Sequence, residues 1–277
     1  MSRRLSLAFL TVDGAAPVEQ IEAAADAGFD AVGLRLIPPG DLKLKDEIVG
    51  NKVLIREIRS ACQRTGIEIL DVEQWTLRPD TEISGLMPAL EAGAEIGASF
   101  LLCTSEDPDA SRAADRFGAL CDAAAPFGMR VGFEFMKWRE VKTLEAALAF
   151  ANRADRLNGG VMVDTLHLCR SGGTPRAVAA VPRERLTYVQ ICDAPAESPP
   201  LAELRREERS GRLYPGEGAL PLEEIVEVLP ANVALSIEAP SARDAGKSVV
   251  ERARSAAQAL AGFLARCRAH RSEAVAR

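Results

Sequence analysis

Four acidic or amide side chains interrupt apolar runs that otherwise read as buried strands. Glu134 lies in Val131-Gly132-Phe133-Glu134-Phe135-Met136, and Asp164 ends Val161-Met162-Val163-Asp164. Gln190 lies in Tyr188-Val189-Gln190-Ile191-Cys192-Asp193, and Glu238 ends Val233-Ala234-Leu235-Ser236-Ile237-Glu238. A buried carboxylate is costly unless it is paired or metal-bound. Three of them converging in one small space repel, so that at least one must take up a proton. A divalent cation removes that conflict. Oxygen ligands from Glu134, Asp164, Gln190 and Glu238, with no thiolate and at most one imidazole, suit a hard ion such as Mg2+ or Mn2+. Co2+ or Zn2+ fits that set less well. The competing reading gives each acid an Arg partner or a helix to cap, and four on consecutive strands weigh against it.

An ion held by both oxygens of an α-hydroxyketone would acidify the C–H between them and stabilise the enediolate left on proton loss. Glu134 and Glu238 are then the candidate catalytic carboxylates, one removing and the other returning the proton. His167, one of only two histidines, would hydrogen-bond a substrate oxygen or act as acid for a leaving hydroxyl. Arg212 offers a planar fork for a carboxylate, phosphate or hydroxyl pair, or else belongs to a solvated basic face with Arg205, Arg206 and Arg209. Glu73 and Trp75, at the end of the third strand, are candidate pocket residues, and Trp75 equally suits plain packing. Asp193 is expected to support the site or its loop rather than to bind metal.

These residues need a frame that brings strand ends together. Strand-like and helix-like patterns alternate along the chain, giving strands over Leu5–Thr11, Asp30–Leu36, Ile67–Trp75, Ser99–Ser105, Arg130–Met136, Gly160–His167, Arg185–Asp193 and Val233–Ala239. The helices between them include Glu47–Thr65, with Val49, Val53, Ile58 and Cys62 on one side, and Ser84–Ile96. Parallel strands need such crossovers and are buried by them. Eight units predict a single (β/α)8 TIM barrel over 1–269, with function at the C-terminal strand ends. No Gly-rich dinucleotide or phosphate-loop signature supports an open doubly wound sheet. Two stretches break the rhythm: Pro38–Asp46, and a long segment over about 194–220 of the length expected of an active-site lid. Residues 270–277 read as a frayed polar tail.

The length of 277 residues, 47% hydrophobic and 27% charged, supports a full core and argues against disorder. A formal net charge of −6 disfavours nucleic-acid or anionic-membrane partners. No apolar run approaches the ~18 residues that span a bilayer. Ser2-Arg3-Arg4 is followed by too short an apolar stretch, and too soon by Asp13 and Glu19, to read as a twin-arginine signal. Six scattered cysteines without a CxxC pair predict free thiols in a reducing cytoplasm.

The motifs Gly132-Phe133-Glu134-Phe135, Asp164-x-x-His167, Val189–Pro195, Arg212-x-x-Pro215-Gly216-Glu217-Gly218 and Ser236–Pro240 resemble the sugar phosphate isomerase/epimerase superfamily of xylose isomerase-like TIM barrels, over nearly the whole chain. That superfamily includes ketose 3-epimerases, inosose isomerases and dehydratases, and 3-dehydroshikimate dehydratases. The resemblance implies that Glu134, Asp164, Gln190 and Glu238 are the four metal ligands and that His167 and Arg212 reach the substrate. It implies a divalent-metal-dependent isomerase or epimerase of a small polyhydroxylated carbonyl compound, and it allows a homo-oligomer. Ketose epimerases of this group carry histidine as third ligand, whereas Gln190 is similar to the dehydratases, making a lyase of the 3-dehydroshikimate dehydratase type the alternative. Those dehydratases also place a catalytic histidine at the end of strand three, where this chain has Leu70-Asp71-Val72-Glu73-Gln74-Trp75. A DNA-repair endonuclease of the same barrel type would need more histidines than this chain has. The non-enzyme alternative is a metal-free binding barrel.

Overall fold

The computed structural model of the chain describes residues 3–38 and 44–275, with side chains described as far as His270. Eight parallel strands close into one barrel in sequence order: β1 (Leu5–Leu7), β2 (Ala31–Arg35), β3 (Glu68–Leu77), β4 (Phe100–Ser105), β5 (Arg130–Glu134), β6 (Gly159–Asp164), β7 (Leu186–Ile191) and β8 (Leu235–Ile237). The seam pairs Leu5 with Leu235, Ser6 with Ser236 and Leu7 with Ile237. The predicted (β/α)8 architecture is therefore the observed one. Around it run α1 (Pro17–Ala27), α2 (Lys52–Thr65), α3 (Met87–Glu95), α4 (Ala110–Ala124), α5 (Leu144–Ala154), α6 (Thr165–Arg170), α7 (Pro175–Ala179), α8 (Leu204–Ser210), α9 (Leu222–Val228) and α10 (Val249–Val275).

Helix starts are set locally by side chains that accept the first free N–H groups. Asn51 accepts from Leu54 N at 3.0 Å, Asp109 from Ser111 N and Arg112 N, and Thr143 from Ala146 N. The Asn51 cap corrects the expected second helix. It starts at Lys52, its buried face is Leu54, Ile55, Ile58 and Ala61, and Val53 is 57% exposed. The first strand is likewise shorter than expected, because Phe9–Val12 turns into a 3-10 helix. The Pro38–Asp46 loop lies largely outside the described residues. The closing helix α10 runs on to Val275, past its expected end at Ala269.

The core has two parts, as a barrel demands. The larger lies between strands and helices. The smaller fills the barrel itself with Ala31, Leu70, Phe100, Leu102, Met162, Tyr188 and Ala234. Phe100 and Tyr188, from β4 and β7, meet there with ring centroids 5.2 Å apart. Above this plug the inward positions turn polar, and that change of character marks the floor of the site. No helix among the described residues is long and apolar enough to cross a membrane.

Candidate active site

Alternation along each strand delivers the site. On β6 the inward series Gly160, Met162, Asp164 ends in the carboxylate, and on β5 the series Arg130, Gly132, Glu134 does the same. In register Asp164 stands level with Gln190, and Gln190 level with Ser236, two residues short of Glu238. All four expected ligands are at most 3% exposed and converge on the C-terminal mouth.

The Asp164-x-x-His167 spacing has a local cause. Asp164 ends β6 and caps α6, its Oδ1 accepting the His167 backbone N–H at 3.0 Å. A side chain in the first turn of a helix leans back toward the N-terminus, which brings His167 Nε2 to 3.6 Å from Glu134 Oε1. Ligating atoms of Glu134, Asp164 and His167 lie within 4.8 Å of one another. The Trp138 and His167 rings pack nearly perpendicular to each other, 5.0 Å between centroids. Trp138 escaped the sequence reading, although one of only two tryptophans four residues past Glu134 was a usable signal.

Arg212 is buried among the acids, and the solvated-face reading does not hold for it. Its Nη1 donates to Asp164 Oδ2 at 2.5 Å, its Nη2 lies 3.0 Å from Glu238 Oε2, and its Nε donates to the Glu208 carbonyl at 3.0 Å. Gln190 donates from Nε2 to Glu238 Oε1 at 3.1 Å, leaving its carbonyl oxygen buried without a hydrogen bond. Both ring nitrogens of His167 are likewise buried and unpartnered. Orphaned buried polar atoms are rare and ask for a ligand. Here they are an amide oxygen and an imidazole beside carboxylates, a donor set that fits a divalent cation.

The electrostatics agree. Burial pushes the Glu134 carboxyl well above its ordinary range, with Asp164 and Glu238 pushing the same way. Burial also raises Glu238 well above its ordinary value, against the pull of Arg212. Burial works against Asp164 too, but Arg212 and His167 overcome it and hold that carboxylate low. Burial lowers the His167 pKa, keeping the ring neutral.

The site opens into a narrow cleft walled by Arg35, Glu73, Gln74, Glu134 and Glu238 from the barrel and by Glu208 and Arg209 from α8. The segment expected as a lid over about 194–220 thus lays α8 across the mouth. It is tied to α6 by Arg170, which donates to both Glu207 oxygens at 2.9 and 2.6 Å. Asp193 takes the supporting part expected of it, accepting from Gly216 N and Leu220 N at 3.0 Å each. Gly218 is required in this turn, since a Cβ there would fall 2.4 Å from the Ala194 carbonyl and from Asp193 Oδ1. Glu73 lines the cavity; Trp75 does not. The β3–β4 register shifts between Val72 and Trp75, and this irregularity turns the indole into the packing between barrel and helices. Arg35, at the end of β2, and Glu208 were not singled out by sequence, because a charged strand end and a charged lid helix look like ordinary surface there.

A family model described as xylose isomerase-like TIM barrel matches residues 21–267. The chain belongs to the xylose isomerase-like TIM barrel family. It is 30% identical over 230 residues to the 3-dehydroshikimate dehydratase of Pseudomonas aeruginosa, a match covering 78% of this chain and 34% of the relative. The chain thus spans about a third of that relative's length. It is 28% identical over 112 residues to the inosose isomerase of Bacillus subtilis, covering 40% of this chain and 38% of the relative. Among solved structures, the IolI protein with a bound zinc atom superposes with a TM-score of 0.78 at 18% identity, over 95% of this chain and 98% of that one. The curated relatives named here are enzymes.

Proposed function

We propose that the chain is a divalent-cation-dependent enzyme that moves a proton beside the carbonyl of a small polyhydroxylated compound, a ketose, sugar phosphate or inosose-like ring, and so isomerises or epimerises it. The observation that carries this reading is the burial of Glu134, Asp164, Gln190 and Glu238 together at the C-terminal mouth of the barrel, with the orphaned atoms of Gln190 and His167 among them. Glu134, Asp164, Gln190 and Glu238 would hold the ion, Mn2+ or Mg2+ by their chemistry, with His167 within reach. Bound there, it supplies a Lewis acid that polarises the carbonyl and acidifies the neighbouring C–H. Glu134 and Glu238 come from strands that are not neighbours, so they face a substrate from two sides, one to take the proton and the other to return it. Neutral His167 donates a hydrogen bond to a substrate oxygen. Arg212 balances the charge of Asp164 and Glu238 and orients them, and α8 shields the proton from bulk water.

Dehydration is the second reading, favoured by the 30% identity to a 3-dehydroshikimate dehydratase and by Gln190. In it His167 would first take up a proton and, as imidazolium, give it to the departing hydroxyl, which leaves as water, the ring returning to its neutral form. The test is proton NMR in D2O on ion-loaded protein with a panel of ketoses, inososes and 3-dehydroshikimate. Solvent deuterium at one carbon without loss of water supports isomerisation or epimerisation. An aromatic product from 3-dehydroshikimate moves the assignment to the lyase. Failure of the wild-type protein to bind Mn2+ or Mg2+ at all removes both and leaves a binding barrel.

A further inference from the structure

One pair of side chains on the cavity wall has no part in the proton transfer. Arg35, at the end of β2, is 6% exposed, and Glu73, beside it on β3, is 2% exposed. Their charges face each other, with Arg35 Nη2 3.3 Å from Glu73 Oε1, and the Phe9 ring lies 5.0 Å from the Arg35 Cζ. Yet Glu73 Oε1 accepts no hydrogen bond, and Arg35 Nε, also buried, donates none. A buried guanidinium and carboxylate normally saturate each other, because an unmade hydrogen bond in the interior carries the full desolvation penalty. One donor and one acceptor without a hydrogen bond therefore belong to adjacent residues of the wall that also carries Glu134 and Glu238.

We infer that Arg35 and Glu73 form a recognition subsite for a vicinal diol, one hydroxyl accepting from Arg35 and its neighbour donating to Glu73. A diol fits because each hydroxyl is both donor and acceptor. It also adds no charge to a cavity whose wall carries four glutamates, Glu73, Glu134, Glu208 and Glu238, against two arginines, Arg35 and Arg209. An oxyanion would satisfy Arg35 alone and leave Glu73 Oε1 open and repelled. Leu10 and Leu102 line the same cavity and offer apolar surface to the C–H face of such a ring. Arg35 and Glu73 are thus specificity residues: they select the hydroxyl pattern, and the chemistry happens beside them. The inference rests on the reading of this cavity as a polyol site.

The test separates the two. Binding of cis-cyclohexane-1,2-diol and of cyclohexanol is measured by ligand-observed NMR titration, on ion-loaded and on chelator-treated protein. The wild type is expected to bind the diol at least about tenfold more tightly than the mono-ol, since a site built to bond a hydroxyl rejects the analogue lacking it. Because the pair is part of the protein, the preference persists without the ion, whatever becomes of the proposed reaction. The double substitution Arg35→Met with Glu73→Gln, which leaves no lone buried charge, is expected to keep mono-ol binding and lose the preference. Arg35→Lys with Glu73 intact is expected to recover part of it. Equal binding of diol and mono-ol by the wild type, no binding of either, or an undiminished preference in a folded double variant overturns the inference. So does tighter binding of cyclohexanecarboxylate than of the diol, which would make the subsite an anion site.

Discussion

Glu134 combines near-complete burial with a carboxyl pushed well above its ordinary value of 4.5, burial being the main cause. Without an ion, the folded protein holds a proton there that the unfolded chain releases. Between 4.5 and that raised value the folded state binds more protons, so stability falls as pH rises. Urea unfolding of chelator-treated protein is expected to show this slope, to which buried Glu238, Glu73 and Asp71 add, and Glu134→Gln, which mimics the protonated acid, to reduce it. Ion uptake must expel the same proton, so Mn2+ affinity rises with pH across that window, measurable by calorimetry in buffers of different ionisation enthalpy. A pH-independent affinity would remove Glu134 from the ligand set. The residue identities behind these predictions were legible in the sequence because polar residues stood where apolar ones belonged. What could not be read were contacts made across the fold: Arg212 bridging Asp164 and Glu238, and Arg35 beside Glu73.

At the scale of elements, the lid depends on few attachments. Leu204 is the only buried residue of α8, and Arg170 with Glu207 supplies a two-pronged tie. Glu207→Ala is expected to speed amide exchange over 204–210 by about tenfold or more, since losing one buried ion pair lowers the local opening cost by at least ~1.4 kcal/mol. Unchanged exchange there would show that Leu204, the Arg212 bond to the Glu208 carbonyl and the Asp193-anchored turn hold the lid without it. Strand and helix order was readable from periodicity because parallel strands buried on both faces are apolar throughout. Phase was less readable. A register irregularity in β3 reversed Trp75, and the Asn51 cap starts α2 at Lys52, where the apolar series Leu54, Ile55, Ile58 and Ala61 rather than Val49 and Val53 sets the inward side.

For the whole molecule, a ligand that binds only the folded state stabilises it by mass action, about 2.7 kcal/mol at a hundredfold excess over its Kd. With four candidate ligands on four strands, Mn2+ at such an excess is expected to raise Tm by about 5 °C or more, and a chelator to reverse it. The same ion added to Asp164→Asn is expected to leave Tm unmoved, by scanning calorimetry. An equal rise in that variant would locate the stabilising ion elsewhere.

The barrel closes by pairing β1 with β8, and it is just beyond β8 that Glu238 stands. Synthesis therefore delivers the centre in a fixed order. Glu134, Asp164 and His167 precede Gln190, Arg212 and Glu238 in the chain, so the first three are made before the other three. Under the proposed function, ion binding and closure of the barrel would be linked, since Glu238 reaches the site only when β8 pairs with β1.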